Sequence, residues 1–93
     1  MWMLILANKL NRIMLKLERE GYKIRRHYYE YYVRYDDRFI CVATLFPEWG
    51  YMFILLRPGE RKHVERIIRI IREEFPSIRK EILKEAGCDV KSL

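Results

Sequence analysis

Glutamine is absent from this 93-residue chain, and asparagine, threonine and serine together number five. Few labile amides beside abundant Arg, Glu and Ile is a habit of heat-stable proteins, so a thermophilic microbe (archaeal) or its virus is the expected source. Glycine and proline are scarce, at four and three, which excludes a collagen-like or linker composition. The glycines (Gly21, Gly50, Gly59, Gly87) stand alone, so no glycine-rich phosphate loop is present. Cys41 and Cys88 are too few and too far apart for a secreted disulfide framework and read as free thiols, with a bridge between them as the alternative. Neither they nor His27 and His63 show the paired spacing of zinc ligands, and no metal or cofactor is expected. Ser77 and Ser92 lie too late in the chain for a serine nucleophile constellation. The strand acids reduce to Glu30, where a metal-dependent nuclease needs a cluster. No catalytic residue is expected.

The one long apolar run, MWMLILA at residues 1–7, is too short to span a bilayer. No cations precede it and no small-residue cleavage site follows, unlike a secretory signal. The expectation is an intracellular, cytoplasmic protein with no membrane partner and no small-molecule substrate.

Hydrophobic residues make up 51% of the chain and charged residues 34%, which excludes a disordered tail and suits one domain over residues 1–93. The net charge is +6 and uneven. Residues 1–35 hold eight cations against three anions, whereas residues 36–93 hold eleven against ten. A basic end of this kind is the footprint of a polyanion partner.

Residues 3–20 show apolar positions at helical spacing (Met3, Leu6, Leu10, Ile13, Met14, Leu17), with Gly21 as the stop. Trp2, Leu4, Ile5 and Leu15 lie off that stripe. A strand over residues 1–6 and a shorter helix capped by Asn8 is the competing reading. Residues 22–35, crowded with aromatics, read as one strand with a bulge or bend near His27–Tyr29, because the apolar parity switches there. Asp36-Asp37 is a turn, residues 38–46 a second strand, Pro47 to Gly50 a turn, and residues 49–57 a third strand. Pro58-Gly59 ends the sheet, residues 60–75 repeat apolar side chains as a helix, and Pro76 opens a short third helix ending at Gly87. The expected fold is α+β: a three-stranded antiparallel sheet with helices packed on one face, in the order α-β-β-β-α-α.

Three features invite a ligand. Lys9, Arg12, Lys16 and Arg19 form a row about 80° wide on the first helix. Such a row tracks phosphates. Lys23, Arg25, Arg26 and His27 open the first strand, and Tyr28, Tyr29, Tyr31 and Tyr32 follow as base-stacking or interface rings, joined by Trp2. Arg61 and Lys62 stand at the start of the second helix, where free backbone N–H groups favour anions.

The order helix, three antiparallel strands, helix over residues 3–75, with Arg61-Lys62 after Gly59, resembles the double-stranded-RNA-binding domain. The resemblance implies a first helix in the minor groove and cations of the last helix on phosphates. The chain departs from that family at Glu65, where another cation belongs, and at Asp36-Asp37, where the family has a Gly-Pro-x-His loop. The same order is similar to that of a few small ribonuclease toxins, which carry a His near the position of His27. The expectation is a small, basic, non-enzymatic nucleic-acid-binding protein, RNA before DNA, with phosphate contacts from the first helix and first strand. The alternative is a homodimeric protein-interaction module built on the apolar N-terminus and the Tyr-rich strand.

Overall fold

A computed structural model describes residues 2–86, the side chain of Trp2 excepted. Cys88, and Gly87 as a helix stop, lie outside the described residues. The order is α1 (Trp2–Arg19), β1 (Lys23–His27), β2 (Glu30–Tyr35), β3 (Arg38–Phe46), a short 3-10 turn (Pro47–Trp49), β4 (Tyr51–Leu56), α2 (Arg61–Glu74) and β5 (Lys80–Glu85).

The long form of the first helix is correct. Leu10, Ile13 and Leu17 are its buried stripe. Gly21 ends it at φ +96°, and the Tyr22 N–H reaches back to the Leu17 carbonyl while the Gly21 N–H reaches Glu18. This is the Schellman closure that a residue with freedom at positive φ permits.

The sheet has five strands, not three, and is mixed. Two of the expected elements are corrected. The stretch 22–35 is a hairpin, not one bent strand: His27 pairs with Glu30 and Lys23 with Arg34, leaving Tyr28-Tyr29 as a two-residue loop. Tyr28 takes φ 56°, the positive value that the first loop residue of such hairpins needs. The parity switch in the sequence was real, and the chain reversal caused it. The expected third helix is instead a loop and the strand β5, parallel to β4 from Tyr51↔Lys80 to Leu56↔Glu85. Its inward residue Leu83 packs on the core, and Glu81, also inward, is bonded to Arg72 of α2. The β4–α2–β5 unit covers what would otherwise be an open edge of β4. With four antiparallel strands ahead of α2 and a parallel one after it, the order that resembled the RNA-binding domain is not the order found.

Asp36-Asp37 is the expected turn, both residues at positive φ (53° and 59°), as a type I′ hairpin requires. The β2–β3 register shifts at Val33/Arg34, and Ile40 is the extra residue tucked into the core. Both helices pack on one face of the sheet. Between them and the sheet lie Ile13, Leu17, Tyr31, Val33, Cys41, Ala43, Met52, Ile54, Leu56, Ile67 and Ile71, all fully buried. The Tyr31 hydroxyl donates to the Leu10 carbonyl at 2.6 Å and ties α1 to the sheet. The Cys41 thiol is free and buried, and burial pushes it up to about 12, so it behaves as a small apolar side chain. Among the described residues, no helix is long and apolar enough to cross a membrane.

Candidate nucleic-acid interface

The cationic row of α1 faces α2, and α2 answers it. Arg12 Nε lies 2.9 Å from Glu74, and Lys16 Nζ lies 2.9 Å from Glu74 and 3.2 Å from Glu73. Lys9 sits over the Phe75 ring, 5.3 Å from its centroid. Burial would raise the Glu74 carboxyl, but hydrogen bonds from Lys16 and Arg12 outweigh it and hold the group below its ordinary value. The same bonds from Glu74 and Glu73 hold Lys16 above its own. The row is therefore not the unpaired surface that the sequence predicts. Arg12 and Lys16 are half of an ion-paired helix–helix seam, while Arg19 lines a cleft with Lys16, Glu20, Arg66, Arg69 and Glu73.

The first-strand cluster divides by parity. Arg26 points inward, where it donates to Asn11 of α1 at 3.1 Å and to the Tyr28 carbonyl at 2.7 Å. Lys23 and Arg25 point the other way, onto the sheet face that neither α1 nor α2 covers. The tyrosines divide too. Tyr31 is fully buried and Tyr29 half-buried against the core, so neither is a stacking ring, whereas Tyr28 and Tyr32 are exposed. Arg61 and Lys62 are exposed on the first turn of α2. His27 is exposed, with Tyr28 edge-on to its ring at 5.1 Å.

The sheet face turned away from α1 and α2 brings rings and cations together. Strand pairing sets its side chains in rows. One row runs Arg25, Tyr32, Val42, Leu55, Lys84, and the next runs His27, Glu30, Thr44, Phe53, Ile82. A third, shorter row is Phe46, Tyr51, Lys80, where the two rings stack at 4.7 Å. A fourth is Lys23, Arg34, Phe39. Adjacent strands lie about 4.8 Å apart, so a full row is about 19 Å long. Two adjoining grooves, of ≈ 640 and ≈ 710 Å³, share Tyr32 and cover this surface. Lys23 and Arg25 on β1, Arg34 on β2 and Lys80 on β5 project from this face, whose rows carry one carboxylate, Glu30. Among the described residues none of those four has a salt-bridge partner. The Glu30 carboxylate accepts from the Tyr32 hydroxyl at 3.0 Å, a bond that holds the phenol above its ordinary value and fixes the ring over the face.

Sequence reasoning missed Phe39, Phe46, Tyr51 and Phe53. The signal was present: β3 and β4 carry apolar residues at both parities, which marks a sheet with work on both faces. It also missed a polar cluster at the start of α2. Arg38 holds Glu60 with two bonds (2.6 and 3.2 Å), the Tyr22 hydroxyl lies 2.7 Å from His63 Nδ1, and the Tyr35 ring is 4.6 Å from that of His63. Both Glu60 oxygens are taken by Arg38, so this cluster serves as a brace between the β2–β3 hairpin and α2. No protein-family model, curated protein or solved structure matches this chain.

Proposed function

We propose that the uncovered sheet face binds single-stranded nucleic acid, RNA before DNA, as a binding protein rather than an enzyme. The observation that carries this reading is the coincidence, on one face, of stacking rings with four cations that have no salt-bridge partner among the described residues. Aromatic rings on a sheet accept unstacked bases in any sequence, and cations at the rim follow the phosphates. Glu30 and Thr44, paired across β2 and β3, put hydrogen-bonding groups among the rings. These suit a 2′-hydroxyl, which is the ground for preferring RNA.

Fluorescence anisotropy with a labelled ten-nucleotide RNA tests the reading. Binding weakens with salt, with a slope of about −0.7 per phosphate neutralised. Tyr32→Ala weakens it about tenfold, within the range that stacking on one ring gives. Affinity that ignores both salt and Tyr32→Ala refutes the proposal.

The homodimer reading keeps one supporting observation. Met3, Leu4 and Ile5 on the first turns of α1 are 80%, 64% and 51% exposed, an apolar end without cover among the described residues. Light scattering at high concentration decides it, and a strict monomer removes it. The sheet face is a poorer dimer surface, because both of its rims are cationic and a second copy would bring like charges together.

A further inference from the structure

A cleft of ≈ 480 Å³ opens at one end of the sheet, between the β1–β2 loop and the 3-10 turn after β3. Its lining includes the Tyr28, Phe46 and Trp49 rings, the Glu30 and Glu48 carboxylates, and His27. No lysine or arginine lines it. In a chain of net charge +6, a cleft whose formal charges are both negative is a local reversal. Among the described residues, neither carboxylate has a salt-bridge partner.

The two outer rings gain little from the fold. Tyr28 is 74% exposed and Trp49 77%. Tyr28 also occupies a backbone conformation (φ 56°) that a bulky residue adopts only under strain and that Asn or Gly adopts freely. Strain without burial in return points to a role for the ring outside the fold. Ring faces attract cations through their quadrupole, and carboxylates at the rim add a net charge.

We propose that this cleft binds an organic cation, an alkylated ammonium or a guanidinium group, between the Tyr28 and Trp49 rings with Glu48 and Glu30 as counter-charges. The group comes either from a free amine or from a side chain of a partner. The cleft shares Glu30, Thr44 and Phe46 with the groove of the nucleic-acid face, but recognition of a cation does not depend on the nucleic-acid reading.

The chain has two tryptophans, so Trp2→Phe leaves Trp49 as the sole indole reporter. In that background, at constant ionic strength, Trp49 emission is followed against choline, its uncharged isostere 3,3-dimethylbutanol, acetyl-trimethyllysine amide and acetyl-arginine amide. The cations give a saturating response and the isostere binds at least threefold more weakly, as exposed cation–ring attraction gives. A tighter response to the amino-acid amides than to choline assigns the site to a partner's side chain, and the reverse assigns it to a free amine. Glu48→Gln weakens the cations about threefold while leaving the isostere unchanged, and Tyr28→Ala removes saturation with the melting temperature retained. Equal binding of choline and its isostere overturns the proposal. So does saturation by an uncharged nucleoside alone, which would make the occupant a base. Loss of RNA binding has no bearing on this result, since none of the probes carries a phosphate.

Discussion

At the scale of single residues, much of this fold is held by a few polar groups placed where burial makes them count. The Tyr31 hydroxyl reaches the Leu10 carbonyl inside the core, so Tyr31→Phe lowers stability by about 1 kcal/mol in urea titration, with packing unchanged. Glu60 and Glu74 give the molecule an acid limit. Hydrogen bonds from Arg38 hold the Glu60 carboxyl below its ordinary value of 4.5. For Glu74 burial pushes upward, but Lys16 and Arg12 prevail, and it too is lowered. A depressed carboxyl stabilises the fold above its unfolded value and loses that contribution as pH falls through the folded one. The melting temperature therefore holds from neutrality to about pH 5 and drops below pH 4.5. Glu60→Gln, which cannot titrate, makes that drop shallower.

At the scale of elements, legibility in the sequence followed the strength of the local signal. Each helix with a clean stripe (Leu10, Ile13, Leu17; Val64, Ile67, Ile71) is where the spacing predicts it. So are β3 and the Asp36-Asp37 turn, whose chemistry is local. The β1–β2 reversal was illegible because tyrosine is a strand residue and a poor turn residue, and only the pairing of His27 with Glu30 forces Tyr28 to positive φ. β5 was illegible for another reason. Ile78, Ile82, Leu83 and Ala86 fit helical spacing, while KEILKE, with Ile82 and Leu83 adjacent, shows no strand alternation; the edge of β4 overrides the local pattern. The two forms differ at adjacent residues. In the strand, Leu83 faces the core and Ile82 the open side, so Leu83→Asp costs about 2–3 kcal/mol whereas Ile82→Asp stays within about 0.5 kcal/mol in thermal melts. Equal losses at both positions would count against β5.

At the scale of the whole molecule, two groups of cations named in the sequence meet different fates. One is spent in the α1–α2 seam, where Arg12 and Lys16 meet Glu73 and Glu74. The other, Lys23, Arg25, Arg34 and Lys80, is left on the rims of the uncovered sheet. Paired charge reversals separate the two. Arg12→Glu with Lys16→Glu crowds four carboxylates into the seam, lowers the melting temperature and leaves RNA affinity of the folded protein unchanged. Lys23→Glu with Arg25→Glu keeps the melting temperature and weakens RNA binding at least tenfold, with a shallower salt slope. Loss of binding from the first pair alone would return the interface to α1.

The sequence by itself determined the α+β class, both long helices, the buried stripes and the basic balance, because periodicity and composition act over a few residues at a time. Only the tertiary structure decided which cations are free. Arg12 and Glu74 stand 62 residues apart in the chain and 2.9 Å apart in space. No spacing rule along the chain reaches that far, since neutralisation depends on distance through space and the packing of α1 on α2 sets that distance.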